Sequence, residues 1–289
     1  MSDFLEQVVA ERRAYVAEAS ARGNDAAPVA EQADNVASRA MRERVWHGDW
    51  RIGGDHSDAF TGMLLARRRD GRLGLIAEVK RVSPALGTLA ADVDPARQAR
   101  LYSDAGAAAI SVLTEPLHWG GSMRDLAAVR KALPTVPILC KDVIVSEYQI
   151  IEARNAGADA VLLIAEALTD AELRQFVHLA FTLNMGVLVE AHEPVAFGRA
   201  VACGARIVGV NARNLRRPKD IDIGRVRQLH GFARADQILV AESGIVSVDD
   251  ARLLPARVDA VLVGTVLMTS DDPMPLVRGL AGIARPVSV

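Results

Sequence analysis

The residues best suited to chemistry begin with Glu78 and Lys80, which end an otherwise apolar run that starts at Leu73. Side chains alternate between the two faces of a β-strand, so Glu78 and Lys80 point the same way as Ile76. An unpaired charge in an apolar interior costs several kcal/mol, so such groups are paired, shifted in pKa or used in function. Glu78 and Lys80 therefore form either a buried salt bridge or part of a functional site.

Seven further apolar runs also end in polar or small residues. The eight runs cover residues 73–79, 108–113, 136–140, 160–164, 186–189, 207–210, 238–241 and 260–263. The residues that follow them include Lys80, Thr114, Lys141, Glu166, Glu190, Asn211, Glu242 with Ser243, and Gly264 with Thr265. Helical spacing of apolar residues between the runs, as over 94–104 and 146–155, predicts a parallel sheet of buried strands covered by helices.

A short glycine-containing sequence precedes every second run. It stands at residues 105–107, 156–158 and 203–205, and in a weaker version at 256–259. Glycine there ends a helix before the chain turns back into the sheet. The recurrence favours a closed repeat over an open doubly wound sheet, which would carry a glycine-rich turn after its first strand. The sequence predicts an α/β fold: a (β/α)8 TIM barrel catalytic domain over residues 71–289, with an N-terminal helical extension over residues 1–70.

The extension begins with an amphipathic helix. Its apolar positions follow a three-and-four spacing from Phe4 to Val16, and Gly23 ends it. A second helix-like segment at residues 29–46 and a tryptophan-rich segment at residues 46–51 follow. Because the apolar face of the first helix needs a partner, we expect the extension to pack on the barrel.

Composition excludes several classes of function. The 289 residues are 50% apolar and 24% charged, with a net charge of -2 and no basic stripe, which argues against nucleic-acid binding. No apolar run approaches the ~18 residues of a membrane helix, and residues 1–6 lack an export signal, so a cytoplasmic protein is expected. Cys140 and Cys203 are expected to be reduced core residues, and the isolated His47 and His56 do not indicate a metal site.

The C-terminal ends of barrel strands meet at one rim, where catalytic residues lie. Six polar strand-end residues are therefore predicted to come together: Glu78, Lys80, Lys141, Glu190, Asn211 and Glu242. Two lysines among three carboxylates shift one another's pKa values, which suits acid–base catalysis near neutral pH.

The last two strands indicate a phosphate site. In many barrels the loops after the seventh and eighth strands bind phosphate with backbone N–H groups and short hydroxyls. The residues at these places are Ser243, Gly244, Gly264 and Thr265. Arg213, two residues past Asn211, adds a cation able to bind the same anion.

Seven segments of the barrel occur in the order of the motifs of a known enzyme family. They are IAEVKRVSP (76–84), SVLTE (111–115) with Gly121-Ser122, CKD (140–142), EYQI (147–150) with EAR (152–154), LVEAH (188–192), GVNARNL (209–215) and AESGI (241–245). On these segments the chain resembles indole-3-glycerol-phosphate synthase over residues 73–270. In the extension the resemblance is limited to the first helix.

The resemblance implies a cofactor-free lyase of tryptophan biosynthesis. The substrate is then 1-(2-carboxyphenylamino)-1-deoxyribulose 5-phosphate, which closes a ring, loses carbon dioxide and water, and becomes indole-3-glycerol phosphate. By the same resemblance Lys141 is the general acid, Glu190 is the general base, and Lys80 holds the substrate carboxylate and helps the dehydration. Glu78 and Asn211 orient these groups and Glu242 supports them. The residues around the phosphate are Ser83, Arg213, Ser243, Gly244, Gly264 and Thr265. We expect a monomer or weak homo-oligomer.

Four residues depart from the family pattern. Many members have serine at the position of Ala85, phenylalanine at those of Trp119 and Val143, and serine or a charged residue at that of Thr265. Trp119 and Val143 match positions that line the pocket for the aryl ring. One larger and one smaller side chain there conserve the pocket volume, or they mark a paralog for a substituted aryl ring.

Two alternatives of other classes use the same fold. One is a phosphosugar isomerase or a Schiff-base aldolase, in which a lysine forms a covalent adduct. The other is a non-catalytic homolog that binds phosphorylated ligands, against which the presence of Lys80, Lys141 and Glu190 argues.

Overall fold

Eight parallel strands close into a barrel in the computed structural model of this chain, which describes residues 3–22 and 58–285. The strands are β1 (Gly74–Val79), β2 (Ala109–Leu113), β3 (Ile138–Lys141), β4 (Ala160–Ile164), β5 (Gly186–Ala191), β6 (Ile207–Asn211), β7 (Ile238–Glu242) and β8 (Ala260–Val263). Because β1 pairs with both β2 and β8, the sheet has no free edge. The predicted (β/α)8 barrel is confirmed.

Helices separate the strands along the chain. Within the described residues, α1 (Phe4–Arg22) and α2 (Ala59–Arg69) precede the barrel. The others are α3 (Pro95–Asp104), α4 (Met123–Ala132), α5 (Glu147–Asn155), α6 (Asp170–Thr182), α7 (Pro194–Ala202), α8 (Gly224–Leu229), α9 (Val248–Arg252), α10 (Thr265–Thr269) and α11 (Met274–Ala281). Short 3-10 turns lie at Ala165–Ala167 and His230–Phe232, and a hairpin of Val82–Ser83 and Gly87–Thr88 follows β1.

The predicted strands match the observed ones with small differences at the ends. β3 begins at Ile138 rather than at residue 136, since Pro137 has no N–H for the ladder, although its carbonyl accepts from Ile110. β5 continues to Ala191, so Glu190 lies inside the strand. The glycines predicted before the second, fourth and sixth strands all have positive φ, as a helix-ending turn requires: Gly106, Gly157 and Gly204.

All eight strands contribute apolar side chains to the barrel interior. They include Ile76, Ala109, Leu139, Leu162, Leu188, Ile207, Val240 and Leu262. At the N-terminal end of the barrel α2 buries Phe60 and Leu64, and Leu64 packs against Gly74 at the start of β1. Asp58 begins α2 by accepting a hydrogen bond from the Thr61 N–H. The barrel is thus closed below and can open only at its C-terminal end.

Helix α1 lies over that C-terminal end. Its residues Leu5, Val8 and Val16 are buried with the interior apolar cluster, as the predicted amphipathic face requires. The predicted segments at residues 29–46 and 46–51 lie outside the described residues. No helix of the described ranges is long and apolar enough to cross a membrane.

Candidate active site

A cavity of about 540 Å³ opens at the C-terminal end of the barrel. It is lined by all the residues predicted for catalysis, phosphate binding and the aryl pocket: Glu78, Lys80, Ser83, Trp119, Lys141, Val143, Glu190, Asn211, Arg213, Glu242, Ser243, Gly244, Gly264 and Thr265. The structure therefore places these residues around one cavity, at the end of the barrel where the strand ends meet.

Lys141 is the centre of the charged part of this cavity. Its Nζ lies 3.0 Å from Glu190 Oε2 and 3.5 Å from Glu242 Oε2. Glu190 and Glu242 are each only 1% exposed, while the ammonium group reaches the cavity. Lys141 and Glu242 are the last residues of β3 and β7, and Glu190 is the last but one of β5, so the barrel itself sets their distances.

Glu78 and Lys80 form the second charged pair. Lys80 Nζ lies 2.9 Å from Glu78 Oε1, and Glu78 Oε2 accepts a hydrogen bond of 3.5 Å from the Ser111 hydroxyl. The two residues are on one face, as the alternation of β1 predicts. A side chain on Gly264 would collide with Glu78, because its Cβ would lie 2.5 Å from Oε1. Gly264 thus makes room for the carboxylate, a role that its place in the chain did not indicate.

The buried charges shift one another's pKa values in opposite directions. Desolvation alone would lower the pKa of Lys141, but the carboxylates of Glu190, Glu242 and Glu78 outweigh it and raise that pKa. Burial raises the pKa of Glu242 well above its ordinary range, and repulsion from Glu190 adds to the shift. Desolvation also acts to raise the pKa of Glu190, yet Lys141 and three hydrogen bonds lower it overall. Glu190 is therefore the ionised partner of the lysine.

Asn211 connects this charged group to the loop after β6. Its side chain hydrogen-bonds Glu190, and its Oδ1 accepts from the Arg213 N–H at 3.0 Å. Its backbone oxygen contacts His192 Nδ1 at 2.8 Å. Asn211 is thus held from three sides, as an orienting residue must be.

The loops after β7 and β8 also line the cavity. Ser243 has φ of 66° and the following Gly244 has φ of 76°. A left-handed serine costs about 1–3 kcal/mol, and such strain concentrates at functional sites. Gly264 precedes α10, whose first residue is Thr265. The guanidinium of Arg213 donates to the Pro218 carbonyl on the same side of the cavity.

A further part of the cavity lining is apolar and includes residues of α1. The Trp119 ring lies 6.1 Å from that of Phe4 in α1, measured between centroids. Leu5 and Val8 of α1 line the cavity too, opposite the interior residue Leu162. The part of the cavity beside Trp119 and Val143 therefore suits a flat apolar ring.

Three buried charged residues near the cavity did not stand out in the sequence. Arg12 of α1 donates to both oxygens of Asp142, at 3.0 and 2.7 Å, and Asp142 also accepts from the Thr114 hydroxyl. Glu115 accepts three backbone N–H bonds from residues 117–119 and so shapes the turn that carries Trp119. The only signals were the position of Asp142 beside Lys141 and of Arg12 on the apolar face of α1.

The fold and the cavity define a (β/α)8-barrel enzyme whose reactive groups are lysines and glutamates. The family described as indole-3-glycerol phosphate synthase matches residues 5–280, and this chain belongs to that family.

Curated relatives agree with this assignment. Indole-3-glycerol phosphate synthase from Arthrobacter sp. is 46% identical over 85% of this chain and 85% of its own. The protein of the same name from Nocardioides sp. is 51% identical over 72% of this chain and 80% of its own, and that from Polaromonas sp. is 37% identical over 98% and 100%.

Solved structures of distant sequence share the fold. A 3-hexulose-6-phosphate synthase superposes with a TM-score of 0.57 at 16% identity, over 72% of this chain and 98% of its own. A protein from Aquifex aeolicus superposes with a TM-score of 0.59 at 12% identity, over 80% and 100%. At these identities the likeness concerns the barrel alone.

Proposed function

We propose that this chain converts 1-(2-carboxyphenylamino)-1-deoxyribulose 5-phosphate to indole-3-glycerol phosphate, with loss of carbon dioxide and water. Membership of the family makes it a carboxy-lyase of tryptophan biosynthesis. The observation that carries the proposal is the Lys141 ammonium held 3.0 Å from Glu190 in the cavity that the Ser243-Gly244 loop also lines. One end of that cavity suits a proton transfer and the other an anion.

Lys141 acts in the ring closure. The aryl carbon that bears the carboxylate attacks the ketose carbonyl, and Lys141 gives the carbonyl oxygen a proton. The raised pKa of Lys141 keeps the amine protonated before the attack. An alkoxide is a far stronger base than an amine, so the transfer still runs downhill once the new bond forms.

Loss of carbon dioxide restores the aromatic ring, and dehydration then completes the indole. Lys80, paired with Glu78, binds the substrate carboxylate and assists departure of the hydroxyl group as water. Glu190 removes the proton from the neighbouring carbon. The former carbonyl oxygen takes up one proton in the ring closure and a second when it leaves as water. Glu190 removes one proton from the neighbouring carbon, and the carboxylate leaves as neutral carbon dioxide, so each turnover takes up one proton in total. The neighbouring lysine and glutamate pairs suit these steps because the acid and the base lie on facing strands.

The phosphate lies against the loops after β7 and β8. Thr265→Asp is expected to raise KM about tenfold or more with a smaller change in kcat, because like charges repel at the phosphate. Steady-state kinetics checks this. Ser270→Asp, at an exposed site directly after α10, serves as the charge-matched control. An unchanged KM in Thr265→Asp would remove Thr265 from the phosphate site.

The aryl ring lies between Trp119 and Val143. Val143 is 3% exposed and its N–H is fixed by Asp142 Oδ1 at 2.7 Å, so its side chain has a defined direction. Trp119 is held by Glu115 and by Phe4 of α1. These contacts support a rigid slot for the planar ring.

A Schiff-base mechanism on the same lysines predicts trapping by borohydride. Imine formation needs a neutral amine, whereas Lys141 is kept as an ammonium by Glu190 and Lys80 is paired with Glu78. We expect no mass increase at either lysine after substrate and borohydride are added together. A covalent adduct found by peptide mass spectrometry would replace the lyase mechanism by an aldolase mechanism.

We place the enzyme in the cytoplasm as a monomer or weak homo-oligomer. Cys140 and Cys203 are both buried and unpaired, which suits a reducing compartment. Light scattering over a range of concentrations measures the oligomeric state, and a mass that stays at twice that of one chain would contradict the proposal.

A further inference from the structure

Gly209 lies between the two carboxylates that surround Lys141. In the barrel register it stands opposite Glu190 of β5 and opposite Val240 of β7. A Cβ on Gly209 would lie 2.2 Å from Glu242 Oε1, far inside van der Waals contact. Glu242 can therefore occupy its observed position only because residue 209 has no side chain.

Charged and polar groups face Glu242 from several strands. They are Glu78 with Lys80 from β1, Lys141 from β3 and Glu190 from β5, with Asn211 at the end of β6 and Arg213 after it. β8 contributes the apolar Leu262, which pairs with Glu242. Lys80 is already 2.9 Å from Glu78, so a single ammonium, that of Lys141, serves both remaining carboxylates.

The two carboxylates are not equivalent. Glu190 receives the shorter contact to Lys141, 3.0 Å against 3.5 Å, and a hydrogen bond from Asn211. Among the described residues none donates a hydrogen bond to Glu242 Oε1, although that atom is buried. A buried carboxylate oxygen without a donor is costly if the group is ionised.

Glu190 Oε2 and Glu242 Oε2 both lie within 3.5 Å of the same ammonium, that of Lys141. Two ionised carboxylates that share one ammonium at a buried site repel each other, so the arrangement favours a proton on one of the two. Glu190, which has the shorter contact to Lys141 and the amide of Asn211 as a second partner, is the group that can remain charged. The proton therefore resides on Glu242.

We propose that Glu242 is a neutral carboxylic acid at neutral pH which hydrogen-bonds Glu190 and keeps it ionised beside Lys141, and that Gly209 is a positioning residue that makes room for it. The protonation state stands on the geometry alone. Its consequence for turnover rests on the function proposed above. As pH rises and Glu242 ionises, it repels Glu190 and competes for Lys141, so kcat is expected to fall on the alkaline side.

Infrared difference spectroscopy tests the protonation state without substrate. Wild-type protein at neutral pH is expected to show the carbonyl band of a buried carboxylic acid, which disappears in Glu242→Gln. Glu193→Gln, at a half-exposed glutamate outside the charged group, is the matched control and should leave the band in place. If Glu242→Gln does not fold, carbon-13-labelled glutamate in the wild-type protein reports the same titration. Absence of any protonated carboxyl group at neutral pH would overturn the proposal.

Kinetics tests the positioning role. Glu242→Gln keeps a neutral hydrogen-bond donor, so it is expected to retain kcat within about tenfold and to lose the alkaline decline of kcat. Glu242→Ala and Gly209→Ala are expected to lower kcat by 10²-fold or more, on the order of a general-base contribution. Gly198→Ala, at a helical glycine whose added Cβ meets nothing within 4 Å, is the control for Gly209→Ala. Glu242→Asp combined with Gly209→Ala should recover activity, since the shorter side chain relieves the collision.

The outcomes separate the two proposals. A folded Glu242→Gln as inactive as Glu242→Ala, or with an unchanged pH profile, would overturn the role of the neutral acid. A wild-type protein that shows the carboxylic acid band but no turnover would contradict the proposed function and leave the protonation state of Glu242 supported.

Discussion

Replacing Lys141 by alanine is expected to lower kcat on the order of 10³-fold, the contribution of a positioned general acid. No other described lysine lies within reach of both Glu190 and Glu242, since Lys80 is paired with Glu78. Without the ammonium, the buried carboxylates can take up protons instead of remaining charged, so the barrel should still fold. Stopped assays with purified protein measure the loss.

Binding and activity must be measured separately in this variant. A product-like phosphate ligand should still bind, because Ser243, Gly244 and Thr265 at the other end of the cavity are intact. Lys131→Ala, at an exposed lysine of α4, is the matched control and should behave as wild type. If Lys141→Ala folds and keeps more than a tenth of the wild-type kcat, Lys141 is not the general acid.

Replacing Arg12 by methionine is expected to destabilise the protein by about 3–5 kcal/mol, because the variant leaves a buried charge without its partner. Arg12 is 3% exposed and binds both oxygens of Asp142, whose side chain is fully buried. Urea unfolding measures the change in free energy. The expected kcat also falls, since Asp142 follows Lys141 directly at the end of β3.

The same helix supplies the control for Arg12. Arg13 pairs with Glu172 at 2.9 Å on the surface, with 46% of its side chain exposed. Such exposed pairs contribute about 0–1 kcal/mol, so Arg13→Met should be almost neutral. Adding Asp142→Asn to Arg12→Met should recover stability, because the uncompensated charge is removed. Equal effects of Arg12→Met and Arg13→Met would mean that α1 is not anchored through Asp142.

The barrel was predictable because the sequence features that specify each strand, helix and turn lie within that element itself. Each strand is an apolar run, each helix has its own apolar spacing, and a turn glycine such as Gly106 has the same function wherever it occurs. Polar strand ends such as Lys141 and Glu190 were predictable as one group because the barrel topology brings all C-terminal strand ends to one rim.

Residues that act through a distant partner were not predictable. Arg12 and Asp142 are 130 residues apart, and the position of Arg12 on the apolar face of α1 does not indicate which residue it pairs with. Gly209 has an ordinary place inside β6, and its role depends on a side chain of β7. Arg67, in the basic last turn of α2, donates to the Leu73 carbonyl, a contact that three consecutive arginines do not indicate. Packing, rather than residue type, decides such roles.

The most direct measurement of the central claim is the time course of indole fluorescence with purified protein and 1-(2-carboxyphenylamino)-1-deoxyribulose 5-phosphate, in buffer without added metal or cofactor. The account predicts steady growth of the emission of indole-3-glycerol phosphate with wild-type protein and growth on the order of 10³-fold slower with Lys141→Ala. A flat trace from folded wild-type protein that binds the substrate would contradict it and would direct attention to Trp119 and Val143 as determinants of a different aryl substrate.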